Sequence, residues 1–252
     1  MNATERQQRI LELLDNRGRV TIAELSTRFS VSDMTIRRDL AQLEDDGLLR
    51  RTHGGAVRTL SGNFEPPFAM RARLNADTKR AIAVSVAAAL SDGETVILDG
   101  GTTGVAIAEE LVGRNLTVCA LNTRVAEILV ASPATRVMVP GGLIRHGEQS
   151  LVGPATERTL ADYRFDTYVM TVSAVDITAG FTEWNEDDAA VKRAALHAAT
   201  RCVAACDSTK FGQTAFARIA AVDAADQIHT DANLPEDLRE QLAVAGIAPH
   251  IA

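Results

Sequence analysis

The sequence predicts an α/β chain in two parts: a small N-terminal module of three helices and a β-wing, then a larger, doubly wound and mostly parallel sheet covered by helices. Three observations carry that reading. The first sixty residues hold three helical apolar stripes separated by capping residues and tight turns. From Lys79 onward, helical stripes alternate with short apolar runs that lack a polar face, the pattern of parallel strands buried on both sides. Finally, 252 residues with a hydrophobic fraction of 46% exceed what one typical domain needs and supply two cores of unequal size.

The elements follow in order. Ile10, Leu11, Leu13 and Leu14 form a first helical stripe that stops at Asn16 and Gly18. Thr21, with Glu24 three positions on, reads as a capping box for a second helix carrying Ile22, Leu25 and Phe29. Ser30, Val31 and Ser32 make the turn into a third helix, DMTIRRDLAQLEDDG, which Ser32 caps and which ends near Gly47. In it Met34, Ile36, Leu40 and Leu43 are expected to face inward. The segment LLRRTHGGAV then reads as a two-stranded wing with a basic tip. Two helices joined by a short turn and followed by a wing form a winged helix-turn-helix, predicted here for residues 1–58.

Charge supports a nucleic-acid partner for that part alone. The chain carries a net charge of -7, which disfavours phosphate binding over its whole surface. Within residues 1–58, however, Arg6, Arg9, Arg17, Arg19, Arg28, Arg37, Arg38, Arg50, Arg51 and Arg58 slightly outnumber the acidic side chains, and the remainder is acidic. The predicted DNA-facing set is Thr21 and Ser32 at the two caps, then Asp33, Thr35, Arg37 and Arg38 on the third helix, then Arg50, Arg51 and His53 in the wing. Thr35 and Arg37 are expected to meet base edges and Arg38 a phosphate.

Residues 59–78 carry Gly, Asn and a Pro-Pro pair with weak periodicity and are read as the connection. Residues 79–252 follow as the α/β domain: an AIAVSVAAAL helix, TVILD, a VAIAEEL helix, LTVCALN, a helix, RVMVP, DTYVMTVS, an Ala-rich helix from about Asp187 to Thr200, and RCVAACD. In such sheets ligands lie beyond the carboxyl ends of the strands. There Asp99 is followed by Gly100, Gly101, Thr102, Thr103 and Gly104 opening a helix, an anion cradle of free N–H groups and hydroxyls. The lysine spacing of a nucleoside triphosphate loop and the G-x-G-x-x-G of a dinucleotide fold are both absent, so no cofactor is expected. Further strand-end loops hold Asn122 and Thr123, Gly141 and Gly142 with Arg145, and Asp207 to Gly212. Lys210 offers a charge for phosphate; Asp99, Asn122 and Asp207 offer acceptors for sugar hydroxyls. Phosphate plus hydroxyls points to a sugar or polyol phosphate.

Other classes are weaker. The N-terminus MNATERQQRI carries charges where a signal peptide needs an apolar core, and no apolar run approaches the roughly 18 residues of a membrane span, which predicts a soluble, cytoplasmic protein. Cys119, Cys202 and Cys206 lie in apolar runs, and the five histidines lack ligand spacing, so neither a disulfide framework nor a metal site is expected. Phe181 and Trp184 read as core ahead of sugar-stacking residues. A sugar-phosphate isomerase using Asp99, Glu183, Asp207 and Lys210, and an architectural DNA-binding protein, are the alternatives.

VSDMTIRRDLAQLEDDGLLRRTHGGAV resembles the DNA-binding signature of the DeoR family of bacterial regulators, whose pattern runs through TIRRDL to R-x-HGG. DGGTTGVAIAEEL, PGGLIR, SLVGPATERTL, AAVKRAAL and CDSTKFG resemble successive signatures of that family's effector domain, similar in fold to ribose 5-phosphate isomerase and CoA transferases. The resemblance spans nearly the whole chain and implies a repressor of a carbohydrate or polyol operon, bound to double-stranded operator DNA as a homo-oligomer, dimer or tetramer, and relieved by a phosphorylated effector. It implies that Gly100, Gly101, Thr102, Thr103 and Lys210 hold the effector phosphate, with Asp99, Asn122, Gly141, Gly142 and Asp207 around the rest. One stretch departs from the family pattern: TVSAVDITAGFTEW has Ser173 and Val175 where small residues are usual.

Overall fold

A computed structural model of the chain describes residues 2–45, 48–58 and 65–252. The fold divides into two compact units, Met1–Met70 and Arg71–Ala252. Gly47, expected to end the third helix, and residues 59–64 of the expected connection lie outside the described residues.

In the first unit, α1 (Ala3–Arg17) leads into β1 (Arg19–Thr21), α2 (Ile22–Phe29), α3 (Asp33–Asp45), β2 (Leu49–Thr52) and β3 (Gly55–Arg58). Asn2 caps α1 by accepting from the Glu5 N–H at 2.8 Å, and Gly18 ends it in the left-handed conformation at φ 70°. β2 and β3 form a hairpin, but β1 pairs antiparallel with β3, so the wing is three-stranded rather than two-stranded. Three residues, RVT, are too short to show a strand period, and only their pairing with β3 defines them. Ile10, Leu14, Leu25, Ile36, Leu40, Leu43, Leu49 and Ala56 form the core.

The second unit begins with α4 (Phe68–Arg73), which starts before the division, and α5 (Ala76–Ala88); both lie at least partly in the stretch read as a connection. There follow β4 (Thr95–Leu98), α6 (Gly101–Glu110), β5 (Thr117–Ala120), α7 (Thr123–Val130), β6 (Arg136–Met138), β7 (Leu143–Ile144), β8 (Leu151–Val152), α8 (Pro154–Ala161) and β9 (Phe165–Thr171). The chain continues through β10 (Ala174–Asp176), β11 (Gly180–Glu183), α9 (Glu186–Ala198), β12 (Ala199–Ala205), β13 (Ala217–Ala220), β14 (Gln227–Thr230), α10 (Glu236–Val244) and β15 (His250–Ile251). The Ala-rich helix therefore stops two residues before its expected end, and Ala199 and Thr200 open the next strand.

Seven strands make one parallel sheet in the order β15-β14-β12-β9-β4-β5-β6. Side chains alternate between its faces. Val96, Leu98, Val118 and Ala120 pack with Ile82, Ile107, Val125 and Leu129 of α5, α6 and α7 and with Leu111 at the end of α6. Ile97, Cys119, Tyr168, Met170, Cys202 and Ala204 point the other way, against Leu160, Ala195 and Leu242 of α8, α9 and α10 and Phe181 of β11. Helices on both faces of a parallel sheet make the doubly wound α/β fold. A three-stranded antiparallel sheet, β10-β11-β13, and the β7-β8 ladder complete it. From β4 the chain runs outward through β5 and β6, then returns to place β9 on the other side of β4. The switch point therefore lies between β4 and β9, and in sheets of this kind ligands bind beyond the strand ends at such a point. Among the described residues, no helix is long and apolar enough to cross a membrane, and no group of three His, Cys, Asp or Glu could hold a metal.

Candidate functional site

In the first unit the caps set the helices. Thr21 Oγ1 accepts from the Glu24 N–H at 3.2 Å, but the Glu24 carboxylate pairs with Arg17 instead of closing the capping box. Ser32 Oγ accepts from the Thr35 N–H at 3.2 Å and shares a second hydrogen bond with Thr35 Oγ1 at 2.9 Å. Thr35 is therefore half-buried and engaged with its own cap, whereas Asp33, Arg37 and Arg38 are exposed. Met34 does not join the core: it is 69% exposed, because helical geometry puts it opposite the buried stripe of Ile36, Leu40 and Leu43.

Arg6 is also displaced from its expected role. It is buried, with Nε 2.5 Å and Nη2 3.1 Å from the two carboxylate oxygens of Asp39, so it ties α1 to α3 and offers nothing to phosphate. In the wing Arg50 and His53 are exposed, and Arg51 is steered by Glu44, which accepts from its Nε at 2.5 Å and its backbone N–H at 2.8 Å. That bonding holds the Glu44 carboxyl below the usual carboxylate range. A cleft of about 290 Å³ between α3 and the wing is lined by Ile22, Arg37, Leu40, Arg51, Thr52, His53 and Gly55.

In the second unit Asp99 ends β4 and is buried. It accepts from the Gly100 N–H (2.8 Å), the Thr171 N–H (3.1 Å) and hydroxyl (3.2 Å), the Tyr168 hydroxyl (3.3 Å) and Lys192. Lys192, buried on α9, also lies 3.2 Å from Glu183 and donates to the Thr171 carbonyl at 2.7 Å. Burial works against the Lys192 ammonium, but Asp99 and Glu183 outweigh it and hold its proton above the usual lysine range. Glu183 in turn accepts from Ser173 and from the Trp184 N–H at 2.9 Å. Asp99 thus braces the loop from within.

Gly100 to Thr103 open α6 at the switch point. Gly101 sits at φ 71°, and a Cβ on Gly104 would come within 2.3 Å of the Asp99 carbonyl, so both positions require glycine. No side chain caps α6 at Gly100, which leaves the positive end of its dipole to whatever lies beyond it. Beside it, buried Asn122 caps α7 through the Arg124 N–H (2.9 Å) and donates to the Glu148 carbonyl (2.9 Å). Glu148 pairs with Arg71, whose guanidinium lies 3.9 Å from where a Gly101 Cβ would stand and 5.4 Å from the Trp184 ring centroid. Lys210 Nζ lies 4.9 Å from the same ring. Asp207 is buried, caps the turn carrying Lys210 through the Thr209 N–H (3.1 Å), and accepts from Asn75 (3.4 Å). Lys79 donates to the carbonyls of Arg71 and Leu74. Burial lowers its pKa to about 8, with Lys210 and Arg71 adding to the fall and Asp207 opposing it.

The structure therefore gathers Gly100, Gly101, Asn122, Asp207 and Lys210, with Thr102 and Thr103 on the same turn of α6. Gly141 and Gly142 have a structural task on the strand-end loop after β6: the Gly141 carbonyl accepts from Thr156 Oγ1 at 2.6 Å, and a Gly142 Cβ would meet that Oγ1 at 2.1 Å, so they seat the β7 hairpin on α8. Phe181 is core, and Trp184 is half-buried under two cations. Arg71, Lys79 and Lys192 were missed by sequence reasoning. For the two lysines a signal existed: Lys79 shares a helical stripe with Ile82, Ala83 and Val86, and Lys192 one with Ala189 and Ala195, and a lysine on an apolar stripe is a lysine with a buried partner.

The profile of the DeoR-like helix-turn-helix domain matches residues 6–61, and that of the DeoR C terminal sensor domain residues 74–232. The chain is 33% identical over 247 residues to the HTH-type transcriptional regulator GlpR of Haloferax volcanii, spanning 98% of this chain and 97% of that protein. It is 31% identical over 243 residues to the glycerol-3-phosphate regulon repressor of Escherichia coli K12, spanning 96% of each. Among solved structures, ribose 5-phosphate isomerase A of Methanocaldococcus jannaschii superposes with a TM-score of 0.41 at 14% identity, over 54% of this chain and 55% of that one. A helix-turn-helix profile, a sensor-domain profile covering most of the second unit, and relatives matched end to end place the chain in the DeoR family of DNA-binding transcriptional regulators.

Proposed function

We propose that the chain represses a carbohydrate or polyol catabolic operon and that a phosphorylated sugar or polyol, bound at the β4–β9 switch point, releases it from the operator. Residues 1–58 carry the DNA-reading head, 59–78 the connection and 79–252 the sensing and oligomerisation domain, with Arg71 and Lys79 drawn from the connection and its edge into the sensor site. The observation that carries this reading is a cluster of cations reaching the uncapped start of α6 through Arg71: Arg71 stands beside Gly101, it shares the Trp184 ring with Lys210, and Lys79 lies near enough to both to feel their charge, in an otherwise acidic chain. Gly100 to Thr103 bind the phosphate through backbone N–H groups and hydroxyls. Asn122 and Asp207 flank the polyol, while Asp99 holds the loop in shape.

The chain is a regulator without turnover on this reading. Asp99, the carboxylate nearest the loop, is engaged by Gly100, Tyr168, Thr171 and Lys192 in bracing that loop, which is a structural task rather than that of a catalytic base. Repression requires a dimer or larger homo-oligomer, because one helix-turn-helix buries too little DNA for tight specific binding.

Trp184 is the only tryptophan in the chain, and it lies beneath Lys210 and Arg71. The test is a melting and tryptophan-fluorescence titration against sugar and polyol phosphates and their unphosphorylated parents. Phosphorylated compounds alone are expected to raise the melting temperature and change Trp184 emission. Stabilisation by parents and phosphates alike refutes the phosphate cradle.

A further inference from the structure

Met34 has a spacing that suggests a core residue and a position that denies it: it stands 69% exposed on the second residue of α3. A helix puts residues i, i+3, i+4 and i+7 on one face. Met34 therefore shares its face with exposed Arg37 and Arg38 and with the small Ala41, opposite the buried Ile36, Leu40 and Leu43. Thr35, expected to meet base edges, shares its hydroxyl with Ser32 Oγ. Next to exposed Asp33, the apolar side chain standing proud at the start of the reading helix is thus Met34, followed on its face by two cations.

The two arginines suit phosphate oxygens or guanine edges. A thioether has no donor and only a weak acceptor, so it can read neither. In a major groove the apolar feature that distinguishes one base pair from the others is the 5-methyl group of thymine. We propose that Met34 is a specificity-determining residue that packs on a thymine methyl in each operator half-site. This rests on α3 being the reading helix, and that reading fails separately if Arg37→Ala leaves operator affinity unchanged.

The test uses the full chain to select its tightest duplex from a pool of random sequence. Each thymine of that duplex is then replaced singly by deoxyuridine, which removes only the 5-methyl group. The native chain is expected to lose about fourfold in affinity at one thymine per half-site, the effect of withdrawing one methyl-sized group from apolar contact. Met34→Ala is expected to bind the thymine and uracil duplexes alike at that position while keeping the native response at every other. A native chain indifferent to every thymine-to-uracil replacement overturns the proposal, and so does a Met34→Ala chain that keeps the native ratio. An indifferent native chain refutes the proposal without any variant, and an unchanged melting temperature for the exposed-site variant confirms that its fold is intact.

Discussion

Two residues at opposite ends of the chain's function show how a side chain's surroundings set its task. Lys210 lies at a strand-end turn above Trp184, and Arg37 lies exposed on α3. Lys210→Ala and Thr102→Ala are expected to abolish the response to effector in an operator-binding assay while leaving operator affinity within about twofold. Arg37→Ala is expected to do the reverse, at a cost of about 1–3 kcal/mol in DNA binding. Lys79 adds a pH dependence. Its folded pKa is about 8, and a bound phosphate dianion favours its ammonium form. Effector affinity should therefore be full near pH 7 and fall as pH rises through 8, by up to about tenfold near pH 9, with proton uptake on binding in that window. Calorimetry in buffers of different ionisation enthalpy measures both, and Lys79→Met should flatten the profile. His229 sets a second window. It is buried, its Nδ1 is 2.8 Å from Ser85 Oγ, and its ring stacks on His250, with burial first and His250 second lowering its pKa to about 4. The unfolded chain binds that proton more readily, so this residue's contribution to stability is complete above about pH 6.5 and is lost as pH falls toward 4. Thermal melts should show His229→Gln losing less stability than the native chain over that range.

Among the elements, α1 and α3 are joined by a buried ion pair rather than by apolar contact alone. Arg6 and Asp39 satisfy one another with two hydrogen bonds and have almost no exposure. Removing one partner strands a charge in the core, so Asp39→Ala should cost roughly 3–5 kcal/mol, whereas the paired change Arg6→Met with Asp39→Leu should be nearly neutral. Chemical denaturation followed by circular dichroism distinguishes these outcomes, and equal losses would place the stability elsewhere. The α6 loop depends on its element in a different way. Gly104 is pressed against the Asp99 carbonyl and Gly100 against Asn122, so the strand-to-helix turn closes only with small residues there, and the cradle is held open by packing from behind.

At the scale of the whole chain, the first unit is near charge balance and the second is acidic, so only a local set of arginines favours DNA. Operator affinity should fall steeply with salt, linearly on logarithmic axes, with a slope that becomes shallower by about one unit per dimer contact when Arg38 is replaced by Ala. Sedimentation at binding concentrations should give a dimer or larger assembly, and a monomer that still binds its operator tightly would refute the proposed arrangement.

The sequence by itself determined what rests on local chemistry. Apolar periods of helix and buried strand marked the large sheet, the caps at Thr21 and Ser32 marked the second and third helices, and the glycines after TVILD marked the loop. Tertiary structure decided whatever rests on partners distant in sequence. The strand β1 exists only because β3 pairs with it, 36 positions on in the register of Val20 and Ala56. Arg6 became structural because Asp39 lies opposite, and Asp99 became a brace because Lys192 arrives from α9. Arg71 entered the site because Glu148 and Trp184 meet it there. Met34 left the core because a helix turns 100° per residue and the one inward face was already filled by Ile36, Leu40 and Leu43. A chain writes its periods and caps residue by residue, whereas burial and charge pairing are properties of surfaces that exist only once the chain has folded.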